Sequence, residues 1–384
     1  MWRSIASNAL TLFIAILLLA GGLVLWGQRQ YTTSGPLETP ICLRVEPGST
    51  MTRLSRQLAD EGAISSPTIF RLGTQYTEKA PLLKAGSYLV QPGASMKDIV
   101  DTITRGGRST CGTEINFRIG ISSAELQVRE VDPATGRYVE VLAFEPGGDD
   151  IPAGYTDYRD QADLRYRVTL AEGVTSWQVV EELGAADFLD GEVGEMPAEG
   201  SLAPDSYEVN AGTERAALIG QMQARQTALL DALWARRARD LPIQTKEEAL
   251  ILASIVEKET GVPEERRRVA SVFTNRLEQG IRLQTDPTVI YGLTKGQASL
   301  GRGLRQSELR SDTPWNTYVV DGLPPTPIAN PGRAAIAAVL NPEKTDFLYF
   351  VADGSGGHVF SKTLAEHNRN VARWRKIEAE RKAD

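Results

Sequence analysis

The rhythm of apolar and polar positions changes several times along this chain. From Ala9 to Trp26 ("ALTLFIAILLLAGGLVLW") no position is charged, and about 18 residues of helix are just enough to cross a hydrocarbon core. The run predicts a membrane-spanning helix over residues 9–27 behind a short tail at 1–8. A cleaved signal peptide is the competing reading, but no small-x-small cleavage site follows the run. Tyr31–Pro40 ("YTTSGPLETP") reads as a polar tether within residues 28–41.

A second rhythm then repeats. "VEPGSTMTRL" from Val45 is echoed by "VQPGASMKDI" from Val90, with Pro47/Pro92, Gly48/Gly93, Met51/Met96 and Leu54/Ile99 in register. Each copy predicts a strand, a Pro-Gly turn, a Ser/Thr cap and an amphipathic helix. A looser third copy, "VTLAEGVTSWQVVEEL", runs from Val168 to Leu183. Units this short bury little alone and are expected to pack against one another. Between them, Thr113–Tyr158 alternates with period two: "INFRIGISSAELQVREV", the turn "DPATGR" and "YVEVLAFE" predict a β-hairpin ending in the loop "PGGDDIPAG". This stretch reads as a strand-rich insertion over residues 108–165. A loop from Leu183 to Gly200 leads on to one long helix, Ala217–Leu241, striped by Leu218, Met222, Leu229, Leu230 and Leu233.

The stretch "ILASIVEKETG" carries two glutamates two positions apart. Thr245 with Glu248 three residues on is a capping-box pattern. Gly261 fits a left-handed position past the helix end, and Pro263 forbids continuation. The helix therefore runs from about Lys246 to Thr260. At about 100° per residue, Leu252, Ile255, Val256 and Glu259 share a stripe, whereas Glu257 points to the polar side. Apolar surroundings and the negative end of the helix both raise the pKa of Glu259, as a general acid requires. The alternative is that Glu259 pairs with Arg266 or Arg267. A second helix is expected over Pro263–Glu278 and a strand over Ile281–Gln284. Asp286-Pro287 then caps a short helix, unless Asp286 serves as a second carboxylate. Ser311–Gly332 is a long loop of aromatics, amides and prolines, either a sugar-binding wall or a rigid surface loop. Two strands around a Gly-rich turn then lead into the last helix; His358 and His367 there are either catalytic or structural.

Composition narrows the function. The 384 residues allow two or three domains. The net charge of −7 and scattered basic residues leave no face for nucleic acid, and Arg266–Arg268 reads as a solvated helix face. Cys42 and Cys111 either pair as one disulfide in an exported body or stay apart; their spacing from His358 and His367 does not resemble a metal site. No phosphate loop is present, so neither metal nor cofactor is expected.

"LASIVEKETGVPEERRRVASVFTNRLEQGIRLQTDPTVIYG", "WNTYVVDGLPPTPIANPG" and "LYFVADGSGGHVFSKTLAEHN" together closely resemble the YceG-like endolytic murein transglycosylases. The "PG" units resemble the LysM-like module that precedes the catalytic domain there. The resemblance implies an α+β chain: a transmembrane helix, a small LysM-like αβ module at 42–107, the insertion, a connecting region at 166–240 and a mixed α+β catalytic domain at 241–384. It implies cleavage of peptidoglycan glycan strands between N-acetylmuramic acid and N-acetylglucosamine. The muramyl C6 hydroxyl, rather than water, attacks C1 and closes a 1,6-anhydro ring. The family's catalytic glutamate falls on Glu259; Gln284, Asp286, Asn316, Tyr318 and Asn330 are the candidates for the glycan groove. A single acid/base suffices for such an intramolecular attack, whereas water-using glycosidases need two carboxylates. The expected location is the inner membrane with the bulk of the chain outside the cytoplasm, where a peptidoglycan synthase or a division or elongation complex is a candidate partner. The alternatives are a muramidase using Asp286 as second carboxylate and a non-catalytic peptidoglycan-binding scaffold. The family pattern passes from the LysM-like unit almost directly to Glu172, so Thr113–Asp163 stands out as a departure, whose role as substrate contact, partner site or decoration is open.

Overall fold

The structure, a computed structural model, describes residues 2–46, 48–105, 110–132, 134–148, 151–159, 161 and 164–383, with side chains from Leu10 to Arg381. Met1, Pro47, the 107/108 boundary, Pro133, Asp149, Asp150 and Asp163 of the sequence reading lie outside the described residues. In chain order the elements are α1 (Trp2–Thr32), β1 (Ile41–Val45), α2 (Met51–Asp60), α3 (Pro67–Tyr76), β2 (Gly86–Val90), α4 (Met96–Thr104), β3 (Thr113–Ile119), β4 (Ala124–Asp132), β5 (Arg137–Phe144), α5 (Tyr155–Arg159), β6 (Arg165–Leu170), α6 (Ser176–Gly184), β7 (Leu189–Asp190), β8 (Ser206–Val209), β9 (Thr213–Glu214), α7 (Arg215–Trp234), α8 (Lys246–Glu259), α9 (Arg266–Glu278), α10 (Asp286–Thr294), α11 (Arg333–Leu340), β10 (Tyr349–Ala352), β11 (His358–Ser361) and α12 (Leu364–Ala383). The chain is thus mixed α+β, divided into two compact units.

The first unit comprises Met1–Ile115, Gln127–Ala143 and Asp150–Arg165. Its β1 and β2 pair antiparallel from Ile41↔Val90 to Val45↔Gly86, which joins the first two copies of the repeat. Both copies turn as their sequence requires. Gly48 and Gly93 have φ of 77° and 68°, conformations that glycine adopts without a Cβ penalty, and Thr50 and Ser95 cap α2 and α4. Leu43, Leu54, Leu58, Phe70, Ile99 and Ile103 fill the core between them. The stretch Gln127–Ala143, with most of β4 and β5, also belongs to this unit. A disulfide joins Cys42 to Cys111, fastening the first residues of β1 to the chain after α4.

The stretch read as a tether behaves differently. Helix α1 continues to Thr32, and Tyr31 and Leu37 are both buried in this core. Gly35 N–H donates to Gly93 O at 3.1 Å and Gly93 N–H to Leu37 O at 2.9 Å. The segment is polar by composition, but Tyr31 and Leu37 each offer apolar area that the module covers. Opposite Tyr31 stands Gly73 of α3, where a Cβ would lie 2.3 Å from the Tyr31 ring. Gly73→Ala is therefore expected to destabilise the first unit by about 1–3 kcal/mol, as overpacking does. Thermal melts should show this loss absorbed, not doubled, when Tyr31→Ala is added.

The second unit comprises Asn116–Leu126, Phe144–Asp149 and Tyr166–Asp384. Here β3, β6 and β8 are neighbours, β6 and β8 running antiparallel from Tyr166↔Val209 to Thr169↔Ser206. The third copy of the repeat, β6 and α6, belongs to this unit, apart from Arg165 at the start of β6. Its local form does match them: Gly173 has φ 83°, and Thr175 and Gln178 form a reciprocal capping box on α6. The main core gathers around α8, where Leu252, Ile255 and Val256 meet Val269 and Phe273 of α9 and Ile336 and Val339 of α11. Helix α7 stops at Trp234 instead of reaching Leu241. Antiparallel β10 and β11 form the Gly-turned hairpin expected before α12.

Candidate active site

Helix α8 is built as its sequence indicates. Thr245 accepts from the Glu248 amide at 3.1 Å and the Glu248 carboxylate accepts from the Thr245 amide at 3.3 Å, so Glu248 is spent on the cap. The other end differs from expectation. Thr260 takes an extended conformation, φ −144° and ψ 129°, which already leads the chain away, and Gly261 is not left-handed.

The fate of Glu257 also departs from the periodicity argument. Its side chain is only 5% exposed and lies 3.6 Å from the Arg266 guanidinium. The carboxylate also accepts from the Gly332 amide at 2.8 Å, at the positive N-terminal end of α11. The face assigned to solvent is covered by residues distant in sequence, and Glu257, not Glu259, is the carboxylate that pairs with Arg266. Arg267 instead donates to Asn341 O at 2.8 Å.

Glu259 sits at the last position of α8, and the Thr285 hydroxyl donates to its carboxylate. Thr285, 3% exposed, is itself locked: its amide donates to Thr317 Oγ1 at 3.1 Å, and its carbonyl accepts from the Thr288 hydroxyl at 2.7 Å. Two cationic or cation-capable side chains act on the same carboxyl. Arg276 is fixed by donating to Leu348 O and Leu283 O, both at 2.7 Å. His358 is fixed by Glu265, which receives its amide at 2.9 Å and meets its Nδ1 at 2.8 Å. Burial pushes the Glu259 pKa above its ordinary 4.5; the Thr285 hydrogen bond opposes that rise, the Asp286 charge adds to it, and His358 and Arg276 oppose it. Burial dominates, so the carboxyl holds its proton to higher pH than an exposed glutamate. Thr285→Val removes a donor that favours the charged form. We expect it to raise the Glu259 pKa further, moving the alkaline limb of a pH–rate profile upward with little change in the thermal midpoint.

The predicted groove residues divide. Asp286 is exposed and close enough to Glu259 to act on its charge. It is the first residue of α10 rather than its cap, because Thr285 takes the cap position; its carboxylate accepts from the Tyr318 hydroxyl at 2.7 Å. Burial, then the Asp286 hydrogen bond, raise the Tyr318 pKa, and the Glu259 charge adds to this. Gln284 is exposed beside Thr285. It lies in no strand: its φ is 49° and its amide donates to Thr317 O at 3.1 Å. The backbone of Ile281–Gln284 thus finds partners in a loop and in Arg276, not in a neighbouring strand.

Asn316 and Asn330 are not brought to this cluster as groove donors. Both are fully buried. The Asn316 amide nitrogen donates to Ser311 O at 2.7 Å and its oxygen accepts from Tyr318 N at 3.0 Å. Asn330 bonds Leu202 N at 2.9 Å and Val174 O at 3.0 Å. Each holds a loop in place. In the expected sugar-binding wall, the Trp315 ring is covered by the Lys295 ammonium at 3.2 Å from its centroid. His367 stacks on Tyr349 with centroids 5.1 Å apart. Helix α9 begins at Arg266 rather than at Pro263, which leaves Glu265 in a turn facing His358. Of the groups around Glu259, His358 is among the sequence candidates, whereas Thr285, Arg276 and Glu265 are not. Thr285 had a sequence signal, standing one residue before Asp-Pro where a helix cap belongs; Arg276 had none.

The YceG-like family profile matches residues 43–133 and 151–373 of the chain. The chain is 28% identical over 356 residues to the endolytic murein transglycosylase of Bacillus subtilis (strain 168), covering 92% of this chain and 90% of that protein. It is 27% identical over 342 residues to the endolytic murein transglycosylase of Streptococcus pneumoniae serotype 2 (strain D39 / NCTC 7466). That match covers 86% of this chain and 58% of the pneumococcal protein. The crystal structure of a YceG-like protein from Listeria monocytogenes aligns at 25% identity with a TM-score of 0.46, over 86% of this chain and 98% of that one. The family match runs through β3 and β4 and resumes just before α5. Only residues 134–150 interrupt it. With its profile matched over most of the length, the chain belongs to the YceG-like family.

Proposed function

We propose that this protein is a membrane-anchored endolytic peptidoglycan transglycosylase with Glu259 as its single acid/base. The observation that carries the reading is the Glu259 carboxyl itself: half-buried at the end of α8, held by Thr285, and raised in pKa. The relatives named endolytic murein transglycosylases give the same reaction class. In the first step Glu259 gives its proton to the glycosidic oxygen as the C1–O bond of N-acetylmuramic acid breaks. The resulting carboxylate then takes the proton of the muramyl C6 hydroxyl as O6 bonds to C1. The ring closes as a 1,6-anhydro end and Glu259 is protonated again. Holding the nucleophile within the substrate supplies proximity without a bound water. Asp286, kept in place by Tyr318, lies on the open side, where a carboxylate steadies positive charge developing at C1. Gln284 and Tyr318 are the remaining groove residues in this reading.

The β1–α4 region is assigned as the LysM-like module at 42–107, a second hold on the glycan. Helix α1 contains a 23-residue candidate span, Leu10–Thr32, and the Cys42–Cys111 disulfide suits an oxidising compartment, so the body is assigned to the extracytoplasmic side. The exposed Asp286 carboxylate favours one second reading, a water-using muramidase.

Mass spectrometry of glycan strands digested by the full-length protein separates the two. Products ending in 1,6-anhydro-N-acetylmuramic acid are expected. Ordinary reducing ends would instead assign Asp286 as the second carboxylate, and intact strands would leave a binding role.

A further inference from the structure

An apolar patch of the first unit is left unexplained by glycan cleavage. Leu72 and Tyr76 of α3 are 59% and 91% exposed, and Leu82, shortly after the helix, is 49% exposed. Leu72 and Tyr76 stand four apart, on one face of the helix. Gly73, between them, is where the Tyr31 ring of α1 packs, and α1 rests against α3 and α4. The patch therefore borders the point at which the candidate span enters the folded module.

The distances along α1 fix what that point borders. Tyr31 follows Trp26, the last residue of the uncharged run, by five residues of continuous helix, about 7 Å at ~1.5 Å per residue. The headgroup layer beyond the hydrocarbon is itself roughly 5–8 Å deep on each side. Tyr31, and with it Gly73, stands at the level of the headgroups. We propose that the Leu72–Tyr76–Leu82 patch docks into the interfacial layer of the same bilayer that α1 spans, holding the module flat on the lipid rather than swinging from a tether. The rigid junction argues for this occupant: Tyr31 in the core and the Gly35–Gly93–Leu37 hydrogen bonds leave the patch no slack to move away. Lys84 and Glu78 are both exposed beside it, so the attraction is apolar and does not require anionic lipid.

The inference rests on α1 being a retained span, so the test reads both. Full-length protein carrying Leu18→Cys, Leu72→Cys or Tyr76→Cys is labelled with a nitroxide, its native cysteines staying paired, and placed in zwitterionic phosphatidylcholine nanodiscs. Collisions with lipid-soluble oxygen are compared with those of a water-soluble nickel complex. Oxygen dominating at 72 and 76, as at 18, is the expected result. Nickel dominating at 72 and 76 while oxygen dominates at 18 overturns the docking, retains the span and leaves the patch to a protein partner. Nickel dominating at all three positions overturns the span, and the docking with it.

Discussion

Glu259→Gln is expected to lower glycan cleavage by about 10²–10⁴-fold, the usual contribution of a positioned general acid, while binding of glycan strands persists. Glutamine has the same shape and still offers an oxygen to the Thr285 hydroxyl, so the local geometry survives and only the transferable proton is lost. Retained binding with lost cleavage would distinguish an enzyme from a scaffold; undiminished cleavage would remove Glu259 from the chemistry. The same variant has a stability signature. The folded-state pKa of Glu259 is raised by burial, so the native state binds more protons than the unfolded chain between the ordinary value and the raised one. Wild-type stability is then fully present below the ordinary carboxylate range and falls as pH rises through the folded pKa. Glutamine does not titrate. The variant should melt close to wild type at about pH 4 and above it at about pH 8, a crossover that simple loss of packing would not give.

The second large effect is on stability. Cys42 and Cys111 are 69 residues apart in sequence, and in the chain-entropy account a loop of that size corresponds to about 4 kcal/mol. The double variant Cys42→Ser/Cys111→Ser is expected to lose most of that. The loss should be confined to the first unit, whose core lies between β1, β2 and α4. Hydrogen exchange would locate it, with faster exchange in β1 and α4 and unchanged protection in α8, since locally cooperative units open separately. Acceleration spread equally over α8 would show that the two units share one unfolding event.

How much of this was legible beforehand varies by residue. The α8 cap, the three strand–turn–helix repeats and the β4–β5 hairpin depend on interactions within a few residues and are legible in sequence, whereas the break that separates β3 from β4 at Gly120–Ser123 is not part of the hairpin reading. The stripe placing Glu259 on the apolar side of α8 was legible for the same reason. Glu257 was misassigned because a helical wheel divides core from solvent only when one face is covered. Here the N-terminus of α11, 75 residues away from Glu257, covers the other. Asn316 and Asn330 read as groove donors by their place in the family motifs and their side-chain chemistry, and their burial is decided by the loops they fasten. The polar composition of Tyr31–Pro40 likewise concealed two anchoring side chains.

The family motifs, the local elements and the glutamate that ends α8 follow from the order of residues along the chain, because periodicity, caps and turn residues act at short range. The tertiary structure alone decided what surrounds that glutamate. Thr285, Arg276 and His358 come from separate elements, and their hydrogen bonds and charges reach Glu259 only when the chain is folded. A proton's affinity is set by burial and neighbouring charge, and neither is a property of residues adjacent in sequence.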